Sequence, residues 1–396
     1  MIYLDYNATT PVDPRVFEAM KPYFTQVFGN AASTAHAFGR AAAQAIVAAR
    51  NQVAALLNVE QDARLGAREI IFTSGATESN NLAIKGVVEC YRDKGKHIIT
   101  QATEHKAVLD PCAKLSSQGL DVTVLPVDSG GQISLNDLRN AIRPETVLVS
   151  IMAANNETGT IQPFRDIGAI CKERDVIFHS DATQAVGKIP VNVQADGVDL
   201  LSLSAHKIYG PKGVGALYIR KKNPRVRLTA QNDGGGHERG FRSGTLNVPG
   251  IVGLGMACQI AGEGMARECA RLSGLRDRFE FALAQRISPV VINGSRTSRL
   301  PHVANLSFPG VDGMSLLNAL DDIAVSSGSA CSSASMQASH VLRAMSISEE
   351  LTHSSLRFSL GRFTTDQEID QVIEKFSTLI PALRAEAGAV CGACAS

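Results

Sequence analysis

Three short polar segments carry most of the side chains able to do chemistry. In the run from Ser204 to Gly213, Lys207 follows an apolar stretch, flanked by Ser204 and His206 and then by a Gly-Pro turn. A lysine so placed is poorly solvated, and a lysine that sheds its charge is the amine that forms a Schiff base. Between a predicted strand and a predicted helix, Thr73 to Asn81 combines Gly75 with the hydroxyl of Thr77. Glycine permits the tight turn, and the helix start offers free N–H groups at the positive dipole end, which makes a phosphate cup. Ser and Thr also cap helices that bind nothing, so this segment alone leaves both meanings open. The third segment, His179 to Gln184, ends another strand. Asp181 there can hold a proton on a ring nitrogen, or cap the following turn.

Cys331 lies in a run of small polar residues from Val325 to Ser335. Such a run has little to bury and is expected to form a mobile loop with an exposed thiol, where a nucleophile belongs. A free thiol has a pKa of about 8.5, so the site is expected to help form the thiolate. Of the other seven cysteines, Cys90, Cys112, Cys171, Cys258 and Cys269 are isolated in helix-like contexts and read as small buried hydrophobes. Cys391 and Cys394 form a C-x-x-C in a terminal stretch read as a frayed, exposed tail. No second pair has ligand spacing, so no resident metal site is expected.

Positioning these segments falls to alternating elements between about residues 68 and 220. Strands are predicted at 69–73, 97–100, 122–127, 147–152, 176–179, 200–204 and 214–219, with helices at 107–115, 135–142 and 164–174 among them. This alternation predicts an α/β fold with a largely parallel sheet covered on both faces, whose ligands sit at the carboxyl ends of the strands. From about residue 250 the pattern changes to a long helix through Met265, Leu272, Leu275 and Phe279, then strands near 304–308 and 356–360 around a helix at 315–320. A last helix opens with Thr365 and Glu368 at capping-box spacing and carries an apolar stripe from Ile369 to Leu383. The domains expected are a large one over residues 16–260 and a smaller α+β one made of 1–15 plus 261–396, the latter carrying the Cys331 loop at about 324–338.

The chain has 396 residues, 44% hydrophobic and 19% charged, enough to bury a core. Lys and Arg number 39 against 38 for Asp and Glu, a net charge of +1, so there is no basic footprint and nucleic acid is not expected as a partner. The longest apolar stretch, around Val248 to Gly262, is too short and too rich in glycine to span a bilayer. Met1 leads directly into Ile-Tyr-Leu-Asp-Tyr without a signal-like start, so a soluble cytoplasmic location is expected. Gly250 and Gly253-Leu254-Gly255 lack the third spaced glycine and the strand–helix setting of a dinucleotide site.

Taken together, these segments resemble the fold-type I, aspartate-aminotransferase-like enzymes dependent on pyridoxal phosphate, and among them the cysteine desulfurases of the NifS/IscS group (class-V aminotransferases). The likeness runs from Tyr3-Leu4-Asp5-Tyr6-Asn7-Ala8-Thr9-Thr10-Pro11 to the last helix. It includes Asn155-Asn156-Glu157-Thr158-Gly159, the stretch Gly234 to Gly240, Arg242-Ser243-Gly244-Thr245 and Arg357-Phe358-Ser359-Leu360. The resemblance implies that Lys207 holds pyridoxal 5'-phosphate as a Schiff base and that Asp181 pairs with its pyridine nitrogen. It implies that Gln184 bonds the ring hydroxyl, and that His105 stacks on the ring and serves in proton transfer. Ala76, Thr77, Ser204 and His206 would hold the phosphate, joined by Thr245 from a second subunit of a homodimer. Asn156 would lie beside cofactor and substrate, and Arg357 would clamp the substrate carboxylate, for which a planar two-pronged cation is suited.

The implied reaction takes sulfur from L-cysteine, leaving L-alanine and a persulfide on Cys331. That sulfur would pass to an acceptor such as an iron–sulfur scaffold, with Cys331 a transient iron–sulfur ligand at most. A selenocysteine lyase or C–S β-lyase on the same scaffold is the neighbouring alternative, and a non-catalytic sulfur-relay or assembly protein is the more distant one. Two departures stand out. Ala31 follows Gly29-Asn30 where the family usually has proline, and the chain contains no Trp and lacks the aromatic Ser-Pro-Leu-Trp-like tail of members that serve the general scaffold.

Overall fold

A computed structural model describes residues 1–59, 67–327 and 339–394, with side chains through residue 387. In chain order the strands are β1 (Ile2–Tyr3), β2 (Ile70–Thr73), β3 (His97–Gln101), β4 (Asp121–Leu125), β5 (Thr146–Ser150), β6 (Ile177–Asp181), β7 (Leu200–Ser204), β8 (Gly215–Ile219), β9 (Val291–Ile292), β10 (Val303–Ser307), β11 (Ile323–Ala324), β12 (Ser326–Ser327) and β13 (Ser355–Ser359). Seven of them form one sheet in the order β2-β8-β7-β6-β5-β3-β4. β8 runs antiparallel to both its neighbours, and every other pair is parallel. The predicted strands are all present, with edges moved by up to a few residues.

β2, β3, β5, β7 and β8 are buried along their whole length, so each feeds two layers. Ile70 and Phe72 of β2 pack with Ile46, Val53 and Leu254 on one face, while Ile71 packs with Leu82, Val87 and Val108 on the other. Alternate residues of a strand point to opposite faces, which is why a sheet covered on both sides reads as a continuous apolar run. The helices Ala76–Cys90 and Lys106–Ser116 carry the second layer.

A further core surrounds the antiparallel sheet β12-β13-β10-β9. The 39-residue helix Val248–Arg286 serves both cores. Its Ile251, Leu254 and Cys258 pack beneath the large sheet, and its Leu272, Leu275, Phe279 and Leu283 pack beneath the small one. Residue 260, the expected boundary, falls inside this helix. The N-terminus returns to the small sheet's side, β1 pairing with β11 and Leu4 entering that core.

The last helix, Asp366–Cys394, starts with the predicted capping box: Thr365 N–H donates to Glu368 Oε2 at 2.8 Å, and Glu368 N–H donates to Thr365 Oγ1 at 3.2 Å. Its backbone stays helical through Cys394, where a frayed tail was expected. Alanine, plentiful after Leu383, has the highest helix propensity and extends the helix. Cys112, Cys171 and Cys258 are buried as expected, and burial pushes the Cys112 thiol up to about 12. Cys90 is exposed and Cys269 half-buried, contrary to the expectation. Cys90 ends its helix, and Cys269 turns its thiol to the Lys188 carbonyl at 2.7 Å. No helix among the described residues is long and apolar enough to cross a membrane.

Phe358 of β13 holds the second core together, its ring edge-on to Phe279 at 4.8 Å and to Phe376 at 5.4 Å between centroids. Phe358→Ala is expected to destabilise the chain by about 3–5 kcal/mol, the usual cost of emptying a fully buried aromatic site, as read by chemical denaturation.

Candidate active site

A cavity of about 780 Å³ opens at the carboxyl ends of the parallel strands. Each strand delivers its polar residue where its buried run stops. Asp181 is the last residue of β6 and Ser204 the last of β7. Lys207 ends the 3-10 turn Ala205–Lys207 that follows, and His105 caps the helix after β3. The N-terminal segment and β13 close the cavity from the other side with Asn7 and Arg357.

One end suits a phosphate. Gly75 (φ +159°) precedes the 15-residue helix Ala76–Cys90, and no side chain caps that helix. A Cβ built on Gly75 would approach only Ser204 Oγ, at 3.9 Å, so the turn leaves room beside the helix start. Gly75, Ala76, Thr77, Ser204 and His206 all line the cavity there. Uncapped amides at a helix N-terminus together with hydroxyls and an imidazole make a donor set for an anion. Glu78, in the same turn, would oppose an anion if it stood alone. Burial pushes its carboxyl up, but Arg242 Nε at 2.8 Å and the Ser74 amide at 2.9 Å outweigh this and hold it below its ordinary range.

The other end suits a ring and an amino acid. Asp181 is 5% exposed, its Oδ2 accepting from Asn80 Nδ2 at 2.7 Å and its Oδ1 from the Thr183 amide at 3.0 Å. Each oxygen keeps acceptor capacity, as pairing with a protonated pyridine nitrogen requires. His105 Nδ1 accepts from the Ala107 amide at 3.1 Å, so the neutral ring carries its proton on Nε2. Lys207 Nζ donates to the carbonyls of Asn7 at 2.5 Å and Ala8 at 2.7 Å. Arg357 donates through one terminal nitrogen to Asp5 Oδ1 at 2.6 Å and Ser326 Oγ at 2.9 Å, and through the other to the Asn156 carbonyl at 3.0 Å. These residues fit pyridoxal phosphate: an anion cup, a buried carboxylate, an imidazole and a primary amine border one cavity.

Of the residues expected from the sequence, Ala76, Thr77, His105, Asn156 and Asp181 line this cavity. So do Gln184, Ser204, His206, Lys207 and Arg357. Thr245 does not; it is exposed in the segment before the long helix. Cys331, with most of its expected loop, lies outside the described residues. Asn7, Asp5 and Ser326 also line the cavity and were not singled out by type. Asn7 and Asp5 stand within the Tyr3–Pro11 stretch, whose polar residues between apolar ones were the available signal. Among the described residues no group of three or more His, Cys, Asp or Glu is placed to hold a metal.

Two histidines at the strand ends are kept neutral. His179, two residues before Asp181, is buried between Ser150 Oγ at 2.8 Å and Ser202 Oγ at 3.0 Å, and burial lowers it to about 4. His206 is lowered to about 4 by burial and then by Lys207 and Lys212. Because the unfolded chain binds protons on these groups first, stability falls as pH drops from about 6.5 toward 4. Denaturation midpoints are expected to decline over that window in the wild-type chain and to decline less in His206→Asn.

The family model for class-V aminotransferases matches residues 2–372. A cysteine desulfurase IscS from Anaeromyxobacter dehalogenans (strain 2CP-C) is 55% identical over 383 residues, covering 97% of this chain and 93% of that protein. Among solved structures, a NifS-like protein matches with a TM-score of 0.88 at 39% identity, over 96% of this chain and 100% of its own. SspA in complex with cysteine matches with a TM-score of 0.80 at 38% identity, over 92% and 100%. Sequence and backbone thus agree over nearly the full length, and the chain belongs to the class-V aminotransferase family, in its NifS/IscS cysteine desulfurase group.

Proposed function

We propose that this chain is a pyridoxal-phosphate-dependent cysteine desulfurase, taking sulfur from L-cysteine to give L-alanine and a persulfide on Cys331. The observation that carries the reading is the convergence of Lys207, Asp181, His105 and Arg357 on one cavity beside an uncapped helix start. Enzymes of this family use pyridoxal phosphate, which when bound withdraws electrons from the substrate's Cα and so weakens its C–S bond.

The chain's own residues divide the work. Ala76, Thr77, Ser204 and His206 hold the phosphate, joined by Thr245 of the partner subunit. Asp181 keeps the ring nitrogen protonated, Gln184 holds the ring hydroxyl, and Asn156 lies alongside. Arg357 binds the substrate carboxylate. The Lys207 amine takes the Cα proton, and His105 covers the ring and carries protons through Nε2. The Cys331 thiolate attacks the substrate sulfur: an S–S bond forms, the C–S bond breaks, and its electron pair stays with carbon, which then takes a proton. The acceptor of the persulfide is a thiol protein or an iron–sulfur scaffold, met in the cytoplasm.

A homodimer is part of this reading. Phe17, Phe24, Phe28 and Phe38 are each more than half exposed within the first forty residues, with the rings of Phe28 and Phe38 5.5 Å apart. Large exposed aromatics concentrated in one stretch of chain mark a protein–protein surface. The organisation proposed with it is a large unit of residues 16–260 and a small one of 1–15 plus 261–396.

L-cysteine added to the cofactor-loaded chain is expected to yield alanine and a persulfide mapped by mass spectrometry to Cys331. Lys207→Ala is expected to lose the visible absorbance of a lysine-bound cofactor and to lower turnover by at least about 10²-fold. Cys331→Ser is expected to keep that absorbance and form no persulfide. Pyruvate and free sulfide at an undiminished rate in Cys331→Ser would replace the reading with a C–S β-lyase.

A further inference from the structure

The geometry points to Asn7, locked in place by His302, as a positioning residue that sets the Lys207 amine against the Arg357 guanidinium. This rests on the roles proposed above for those two side chains.

Asn7 is 2% exposed, and each of its polar groups is engaged. Its amide donates to Ser359 Oγ at 2.9 Å, and its Nδ2 donates to the Asn156 carbonyl at 3.0 Å. Its Oδ1 accepts from His302 Nε2 at 2.8 Å. Its carbonyl accepts from Lys207 Nζ at 2.5 Å and from Gln184 Nε2 at 3.1 Å. The Asn156 carbonyl that receives Asn7 Nδ2 also receives Arg357 at 3.0 Å. Asn7 is therefore one hydrogen bond from the amine and two from the guanidinium. Lys207 follows β7 of the large sheet and Arg357 sits in β13 of the small one, so Asn7 spans two separately packed cores.

The donor pattern permits one arrangement. A carbonyl can only accept, so Asn156 must face the amide nitrogen of Asn7, and Oδ1 must then point at His302. His302 has to donate through Nε2. It is wholly buried, and burial followed by the charges of Lys188, Arg276 and Arg357 holds it well below its ordinary range, neutral and with Nδ1 bare. Nδ1 has no partner among the described atoms, so the neutral Nε2–H form leaves no buried proton unmet. Neither aspartate nor alanine at position 7 could satisfy both neighbours: a carboxylate would face the Asn156 carbonyl, and a methyl group would leave two buried polar atoms unpaired.

Removing the Cα proton requires the substrate, held by its carboxylate, to lie within reach of the Lys207 amine. A displacement of about 1 Å between such groups can cost about 10²-fold. The span that Asn7 fixes is this one.

The test compares Asn7→Ala, His302→Leu, His302→Gln and the double variant Asn7→Ala/His302→Leu. Both single losses are expected to lower kcat for L-cysteine about tenfold, because the amine that takes the Cα proton is displaced, with a smaller rise in KM. His302→Gln, whose amide can still donate to Oδ1, is expected to recover most of the loss. The double variant is expected to match Asn7→Ala alone, because His302 acts through Asn7. A second readout needs neither cofactor nor turnover. In the cofactor-free chain, reductive methylation of Lys207 followed by mass spectrometry is expected to run severalfold faster in Asn7→Ala and His302→Leu, with the neighbouring Lys212 as internal reference. If His302→Leu fails to fold, His302→Asn, too short to reach Oδ1, takes its place. Additive losses in the double variant, no recovery with His302→Gln, or unchanged labelling of Lys207 would overturn the inference. Should the wild-type chain release no alanine from L-cysteine, the desulfurase reading fails, and the labelling alone decides the role of Asn7.

Discussion

The site depends on a mechanical constraint: Lys207 and Arg357 belong to different cores, and both cores are packed onto one continuous helix. Val248–Arg286 is roughly 58 Å long at 1.5 Å per residue, and its two halves carry separate apolar faces. A loop between the cores would let them rock, whereas an unbroken helix with buried residues at both ends resists it. The N-terminal strand adds a second tie, pairing with β11 while the residues after it run into the cavity. Two crossings of unlike kind hold the amine and the guanidinium at one spacing, and the side chains at the cavity need only complete it.

Within that frame, burial does most of the electrostatic work. It is the largest cause of the lowered pKa at His179, His206 and His302, overcoming the opposing charge of Asp181 at His179 and reinforced by neighbouring cations at the other two. Where a charge must persist, hydrogen bonds overturn the burial penalty. Glu78 is the clearest instance, kept ionised by Arg242 and the Ser74 amide, with the Arg242 charge offsetting the negative charge that Glu78 brings to the helix start. Arg357 faces Asp5 at 2.6 Å, so the two charges partly neutralise each other within the cavity. This moderates the cost of desolvating Arg357 and orients the guanidinium.

Lys207, Asp181 and Ser204 were legible in the sequence because each interrupts or follows an apolar run, and a polar residue at the end of a buried parallel strand has few places to go but the ligand cavity, whereas His105 was reached only through the family resemblance. The strands themselves were legible for the same reason, with their ends blurred because the last polar residue of a strand, Asp181 or Ser204, can belong to the strand or to the loop. Asn7 was not legible as a site residue. It acts largely through its main chain, and which carbonyl faces a lysine is decided by tertiary packing. Cys90 and Cys269 were misjudged because a cysteine in a helical context carries no signal for the face on which it lies. The helical tail escaped notice because alanine and glycine in mixture read as low complexity, while the intrinsic preference of alanine decides the backbone.

The glycine-rich segment that precedes Arg242 and Thr245 shows how far a local rule can be overridden. Glu238 (φ +48°) and Arg239 (φ +60°) both take the left-handed conformation that glycine adopts at little cost. What holds Glu238 there is a buried pairing. Its two oxygens face the two terminal nitrogens of Arg50 at 2.7 and 2.8 Å, and one also accepts the Phe72 amide at 2.8 Å. Arg50 in turn lies over the Phe72 ring at 4.6 Å and donates to the Ile70 carbonyl. A bidentate buried pair with its remaining hydrogen bonds met can offset a strain of about 1–3 kcal/mol per residue, and a single-acceptor contact at the surface could not. The consequence is directional. By pinning Glu238 to β2, the edge strand of the large sheet, the pair fixes this segment against the sheet edge four residues before Arg242, which reaches Glu78. The turn that carries Thr245 outward is thereby tied to the same sheet whose strand ends form the cavity.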